Sequence, residues 1–277
     1  DGSRTRCSPF SWAHRKYVLD KLLQTGGNQD DWSYLLSLFE NEVNLCRNVA
    51  ERYPKNYYAW THRRFFLGKV LKSTDIPIDA KLKSLEIEWD DIVTKWLPLH
   101  VSDHSAVHYS SQVLELWMTQ LQNSSTRTSN NMTSESSALD QLAARVMTQV
   151  RCLMDSLECH ETLWILRRFV IRILWESKSP SCETVVFQDV SAVATSIEQW
   201  RSNKVMTDNS VPPNIHALTF LAWVREILQT SNQKVQRRRG FSWLQTESSI
   251  GLSFLPVDLL SLLRDHPHVY HRLWKSD

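Results

Sequence analysis

The sequence predicts an all-α fold in which helical hairpins stack into a solenoid, a superhelix of about five repeats of roughly 48 residues. One string occurs around Trp12, Trp60 and Trp164: a tryptophan, His or Leu two residues on, a basic pair and an apolar run. With Val107 and Leu218 at the equivalent positions, the spacings are 48, 47, 57 and 54 residues, which gives room for two helices and two turns. The chain of 277 residues is 42% hydrophobic and contains only 6 glycines, which suits a large helical core.

The elements of one repeat follow from helical spacing of apolar residues. Such spacing runs from Trp32 to Arg52 and again from Leu82 to Leu97, and no alternating strand pattern of useful length appears. Each repeat therefore predicts a first amphipathic helix, a turn marked by Pro54, and a second helix that carries the string. Asn56 and Asp103 are the predicted N-caps of two second helices.

The polar segment 122–137, from Gln122 to Ser137, explains the longer third spacing. Its Ser, Thr and Asn residues have almost nothing to bury, so it predicts a flexible loop inserted between helices. We otherwise expect one continuous domain over residues 1–277. The chain starts without Met and directly on a repeat, so we expect an upstream segment.

Composition argues against several classes of protein. A net charge of +2 is low for a dedicated nucleic-acid binder. Five cysteines without a CxxC pair, and no visible signal peptide, favour a reduced, cytoplasmic setting. No apolar run approaches the length of a transmembrane helix.

Histidines provide one candidate metal site. His100, His104 and His108 are four residues apart, and on one helix they would suggest a metal site. The repeat alignment, however, places residues 101–103 in a turn, so His100 ends one element while the other two begin the next. The histidine-rich segment 266–271 is no stronger. We therefore expect no metal in this chain.

The string PKNYYAWTHRR, from Pro54 to Arg64, closely resembles the signature of protein prenyltransferase α subunits. The resemblance extends from Pro9 to about Leu228, and it implies a superhelix of helical hairpins that wraps the β subunit of a heterodimer. SDHSAVHYSSQVL, HETLWILRRF and the polar segment are most similar to the divergent repeat-containing branch of that family. That branch is the α subunit of the third-type geranylgeranyltransferase, which pairs with the β subunit of Rab geranylgeranyltransferase.

This resemblance implies an enzymatic function. The chain would act as the α subunit of a transferase that moves a geranylgeranyl group from geranylgeranyl diphosphate to a cysteine near the C terminus of protein substrates. An already farnesylated SNARE is one such substrate. The zinc that activates the cysteine thiolate is expected in the β subunit, because no cysteine or carboxylate cluster here would hold it.

The resemblance also implies roles for three residues of the string. Lys55 matches the lysine that reaches the diphosphate across the subunit interface and stabilises the charge that develops on this leaving group. Tyr57 matches the tyrosine that borders the isoprenoid and substrate channel. Tyr58 stands where CaaX-type α subunits carry a glutamine, and a phenol cannot copy an amide's paired donor and acceptor. Recognition of a larger protein surface is therefore favoured over reading of a free CaaX tail.

Other motif residues are expected to wedge and hydrogen-bond successive hairpins. They are Trp12, His14, Arg15, Asn56, Trp60, His62, Arg63, Arg64, Trp164, Arg167 and Arg168. The interface with the β subunit is expected around Tyr57, His104 and His160.

A function from a different class also remains open. The chain could serve as a non-enzymatic helical-repeat scaffold that binds peptides or proteins on its concave face. The period of 47 or 48 residues, rather than the about 34 of tetratricopeptide repeats, and the intact PKNYYAW string favour the transferase.

Overall fold

The computed structural model of the protein describes residues 9–25, 32–125, 132–157, 160–204, 216–224 and 227. Within these ranges the chain is helical and contains no strand, which confirms the predicted all-α fold class. The helices are α1 (Pro9–Thr25), α2 (Trp32–Arg52), α3 (Tyr57–Lys72), α4 (Ile78–Asp90), α5 (His104–Ser125), α6 (Met132–Leu157), α7 (Glu161–Glu176) and α8 (Pro180–Lys204). A short helical stretch at 216–224 contains Leu218, the fifth position of the repeated string.

The helices alternate between two types, as the repeat predicts. The signature helices α1, α3, α5 and α7 carry the repeated string, and the return helices α2, α4, α6 and α8 connect them. Helix α2 packs against α3 and α4 packs against α5, while α3 lies beside both α1 and α5. Side chains such as Phe66, Leu85 and Leu114 are fully excluded from solvent at these contacts. Stacked hairpins thus bury a shared apolar core, as in a helical repeat.

Helix α4 continues into a π-helical turn, Asp91–Trp96. The amide of Leu97 donates to the carbonyl of Ile92 at 2.9 Å, a bond five residues back along the chain. Ile92, Val93, Trp96 and Leu97 are all buried in this wider turn. The turn therefore remains part of the apolar core before the chain enters α5.

The chain divides into two compact units, one of residues 1–139 and 149–173 and the other of 140–148 and 174–277. In the second unit, Ser181 near the start of α8 donates a hydrogen bond to Asp140. Trp175 and Phe187 pack edge to face with ring centroids 5.8 Å apart, and Cys182 is fully buried. The single domain over 1–277 stays a prediction.

The loop predicted at 122–137 is wrong at both of its ends, which are helical. Residues 122–125 form the last part of α5, residues 132–137 form the first part of α6, and 126–131 lie outside the described residues. A nucleated helix extends at little further cost, because each added residue also adds a backbone hydrogen bond. The packed parts of α5 and α6 can therefore carry their polar ends into helix.

Candidate functional site

The turn between α2 and α3 presents Lys55 to solvent. Lys55 has a φ angle of 62°, in the left-handed region that glycine usually occupies. Asn56 then caps α3: its Oδ1 accepts a hydrogen bond from the amide of Ala59 at 3.3 Å, as predicted. The Lys55 carbonyl accepts a bond from the amide of Tyr57 at 3.0 Å. The backbone of Lys55 is thus fixed directly before the positive end of a helix.

Two tyrosines continue this exposed edge. Tyr57 is 59% exposed and Tyr58 is 42% exposed, and their rings meet edge to face with centroids 5.8 Å apart. The turn before α3 and the start of α3 therefore offer one exposed cation and two exposed aromatic rings. These three residues lie where a partner or substrate can reach them, but their roles in transfer stay predictions.

Three residues further along the string are buried. Trp60, His62 and Arg63 are almost completely excluded from solvent. The guanidinium of Arg63 lies 5.6 Å from the Trp60 ring centroid. In α7 the same spacing recurs, since Arg167 lies 5.2 Å from the ring of Trp164. The tryptophan and the first arginine of the string therefore form a stacked pair in both helices.

One ionic junction joins α1, α2 and α3 through Glu42. Arg15 on α1 donates two hydrogen bonds to this carboxylate, at 2.7 and 2.5 Å. His62 Nε2 on α3 lies 2.8 Å from Oε2, the oxygen that also accepts from Arg15 Nε. Burial raises the pKa of Glu42, but the bonds from His62 and Arg15 outweigh burial and lower its pKa to about 2. A return helix thus holds two signature helices with one carboxylate.

A second junction repeats this pattern one hairpin further on. Arg63 donates to both oxygens of Glu88, at 2.6 and 2.9 Å, and to Asp91 at 2.8 Å. The hydroxyl of Tyr109 on α5 donates to Glu88 at 2.5 Å, and Arg47 on α2 donates to Asp91 at 2.7 Å. Burial lowers the pKa of Arg63, but its partners Glu88, Tyr109 and Asp91 together outweigh burial and raise this pKa. The pKa of Tyr109 is raised, mainly by burial and secondly by the negative charge of Glu88.

The start of α5 is fixed by the preceding repeat. As predicted, Asp103 is the N-cap: its Oδ1 accepts bonds from the amides of Ser105 and Ala106, at 3.0 and 3.1 Å. Its other oxygen accepts from the indole nitrogens of Trp60 at 3.1 Å and Trp96 at 3.2 Å. Trp60 is only the fourth residue of α3, and Asp103 directly precedes α5. The bond between them therefore holds the N-termini of α3 and α5 close together.

Two motif residues differ from the expected structural role. His14 and Arg64 are exposed rather than wedged between hairpins. Arg64 follows buried Arg63 by about 100° around the helix, so it faces outward. His62 is buried against Glu42 on the preceding return helix, but no return helix precedes α1 within the described residues. In α7, Arg168 is half-buried, and burial lowers its pKa.

The histidines do not gather into a metal site. The ring of His100 stacks on Trp96 with centroids 4.0 Å apart, before the turn, and His104 begins α5. His108 Nε2 lies 2.8 Å from Gln112 Nε2. No group of three or more His, Cys, Asp or Glu residues in the described part of the chain could hold a metal ion. Residues 266–271 lie outside that part.

The three predicted interface residues all stand near the start of signature helices. Tyr57 and His104 are exposed, and His160 is partly exposed directly before α7. Their contact with a β subunit stays a prediction. Among the helices that the structure describes, none is both long and apolar enough to cross a bilayer.

Sequence reasoning missed the acidic partners of the string. Glu42 follows Trp12 by 30 residues and Glu88 follows Trp60 by 28. Tyr109 occupies the position of His62 in the next register, two residues after the aligned tryptophan position. Because these two offsets differ by two residues, a fixed repeat spacing does not align the two glutamates, whereas comparing register positions would have revealed the tyrosine.

The hairpin of α2 and α3 also matches known proteins in sequence. Residues 39–70, which cover most of α2 and most of α3, match the family model described as protein prenyltransferase alpha subunit repeat. The chain is 31% identical over 192 residues to protein prenyltransferase alpha subunit repeat-containing protein 1 of Homo sapiens, covering 59% of this chain and 46% of that protein.

Two further relatives carry related names. Identity to the Danio rerio protein of the same name is 26% over 193 residues, covering 61% of this chain and 43% of the relative. Identity to repeat-containing protein 1-B of Xenopus laevis is 23% over 256 residues, covering 76% of this chain and 57% of the relative. The chain thus spans about half the length of the curated relatives it matches. These similarities confirm the resemblance read from PKNYYAWTHRR: residues 39–70 match a protein prenyltransferase alpha subunit repeat, and the chain is similar to proteins named for that repeat.

Proposed function

We propose that this chain supplies α-subunit functions to a heterodimeric protein geranylgeranyltransferase. The observation that carries the proposal is the turn at Lys55. It holds an exposed ammonium directly before the capped N-terminus of α3, beside Tyr57. A cation and a helix N-terminus on one edge together favour the binding of a phosphate group.

In this proposal Lys55 acts on the diphosphate of geranylgeranyl diphosphate. As the bond to the allylic carbon stretches, negative charge grows on the diphosphate, and a nearby fixed cation stabilises that charge more in the transition state than in the ground state. Tyr57 borders the isoprenoid chain, and Tyr58 contributes to a surface that recognises a folded protein substrate. The incoming group is a cysteine near the C terminus of that protein.

The remaining parts of the proposed enzyme belong to other chains. A β subunit of the kind found in Rab geranylgeranyltransferase would cover the edge at Tyr57, His104 and His160, and it would hold the zinc that activates the cysteine thiolate. We propose an already farnesylated SNARE as a substrate and the cytoplasm as the setting.

The test uses Lys55→Gly rather than the usual alanine. Glycine removes the ammonium and also relieves the left-handed backbone, whereas an alanine would be strained at a φ of 62°. Single-turnover geranylgeranyl transfer by the assembled heterodimer should fall by about 10²- to 10³-fold, the usual loss for one preorganised electrostatic contact. Lys55→Arg should recover part of the rate, because its charge is kept but its shape differs.

The control variant is Lys83→Ala, which removes an exposed lysine on α4. It should leave the transfer rate unchanged. Gel filtration first establishes that each variant heterodimer is intact. An intact Lys55→Gly heterodimer with the full transfer rate would refute the role of Lys55. Failure to copurify any prenyltransferase β subunit, together with capture of a varied set of peptides, would favour the scaffold function instead.

A further inference from the structure

The outer side of α1 and α3 concentrates positive charge in a chain whose net charge is only +2. The two helices contain seven Lys or Arg residues and one acidic residue, Asp20. The carboxylates of Glu42, Glu88 and Asp91 on return helices neutralise Arg15 and Arg63. The other cations of the two helices are Lys16, Lys21, Arg64, Lys69 and Lys72.

Contacts between the two helices bring Lys16 and Lys69 to the same aromatic ring. Lys69 on α3 pairs with Asp20 on α1 at 2.5 Å. Lys16 Nζ on α1 lies 5.3 Å from the ring centroid of Phe65 on α3, and Lys69 Nζ lies 5.2 Å from the same ring. Lys72 follows Phe65 by seven residues, two turns along the same side of α3. The two helices thus share a surface in which lysines surround an aromatic ring.

Exposed aromatic rings extend this surface along α1. Tyr17 is 60% exposed, and Lys21, one turn further along α1, lies with Nζ 5.8 Å from the Tyr17 ring. Phe10, which is 83% exposed, precedes Tyr17 by two turns on the same side. We use the name outer α1–α3 face for Lys16, Tyr17, Lys21, Phe65, Lys69 and Lys72.

We propose that the outer α1–α3 face binds the surface of a membrane that contains anionic lipids. Lysine is a flexible, mobile point charge, which suits a fluid array of phosphates more than one fixed carboxylate. Exposed tyrosine and phenylalanine rings suit the boundary between head groups and acyl chains, while the lysine stems lie along apolar surface and keep their charges in water. Each basic residue near an anionic bilayer adds favourable free energy, and this gain is lost at high salt.

The test measures cosedimentation of the full chain, with any subunit it retains, on vesicles. Vesicles of phosphatidylcholine with about 30% phosphatidylserine should bind the chain, and vesicles of pure phosphatidylcholine should not. Lys21→Gln/Lys72→Gln should weaken binding by about 25-fold, since each charge contributes roughly fivefold. The control Lys83→Gln/Lys178→Gln makes the same change in net charge at exposed lysines outside the face and should bind normally.

An aromatic variant distinguishes the face from diffuse electrostatic attraction. Tyr17→Ala should weaken binding to the anionic vesicles several-fold, whereas Tyr34→Ala on α2, at a tyrosine that is 55% exposed, should not. Equal weakening by both lysine pairs would overturn the proposal. Binding to soluble polyglutamate, lost in Lys21→Gln/Lys72→Gln, without binding to the anionic vesicles would also overturn it, because the face would then serve an acidic protein segment.

Discussion

Replacing Arg63 by methionine should destabilise the chain by about 3 kcal/mol, the lower part of the range for breaking a buried ion pair. The side chains of Arg63 and Glu88 are 1% and 2% exposed, so the variant leaves a carboxylate in the core without its cation. The loss of stability should stay below the upper part of that range, because two contacts to the carboxylates remain in the variant. Tyr109 still donates to Glu88, and Arg47 still pairs with Asp91.

A double variant separates the lost charge pair from the lost side-chain volume. In Arg63→Met/Glu88→Gln no unpaired carboxylate remains at position 88, and the amide oxygen can still accept from Tyr109. The double variant should therefore be about 1–2 kcal/mol more stable than Arg63→Met alone, although it carries one more substitution. Urea unfolding of each full chain, followed by far-ultraviolet circular dichroism at 222 nm, gives these free energies.

Arg64→Met is the matched control, because Arg64 is the adjacent residue and is exposed. Its free energy of unfolding should stay within about 0.5 kcal/mol of the parent chain. The reasoning fails if Arg63→Met costs less than about 1 kcal/mol, since the carboxylate would then not need its cation. It also fails if the double variant is less stable than Arg63→Met.

Two further predictions concern the same network. The pKa of Glu42, about 2, lies below its ordinary value of 4.5, so the stability it contributes is present above pH 4.5 and is lost as the pH falls towards about 2. The parent chain should lose up to about 3 kcal/mol across this window, and Glu42→Gln should lose less, in urea titrations at several pH values; parallel losses would contradict this. Trp60→Phe removes one of four hydrogen bonds to Asp103 and should cost about 1 kcal/mol, whereas Trp60→Ala should cost about 3–5 kcal/mol. Thermal melts would distinguish these variants, and equal costs would show that packing of the ring contributes nothing.

The helices and their caps could be predicted because the signals are local. Asn56 and Asp103 cap helices where the repeat alignment places them, since an N-cap depends only on the few residues that follow it. The end of α2 at Arg52 also agrees with the apolar spacing. Patterns of this kind need no knowledge of the neighbouring hairpin.

The partners of the buried side chains could not be predicted in this way. Arg63 and Glu88 are 25 residues apart, and their pairing depends on how α3 packs against α4. The string alone treats Arg63 and Arg64 alike, and only the packed helix distinguishes the buried residue from the exposed one. The left-handed backbone of Lys55 was also not predicted, because lysine rarely adopts it and glycine usually marks it.

The sharing of each return-helix carboxylate by two signature helices affects how the chain opens locally. Glu42 bonds to α1 and α3, and Glu88 bonds to α3 and α5. Detaching α2 or α4 therefore leaves basic or hydroxyl groups in two neighbouring repeats without their carboxylate at the same time. Local unfolding therefore cannot stop at the boundary of a single hairpin without leaving buried groups unpaired. Amide hydrogens from α2 to α4 should accordingly exchange as one cooperative block, rather than helix by helix.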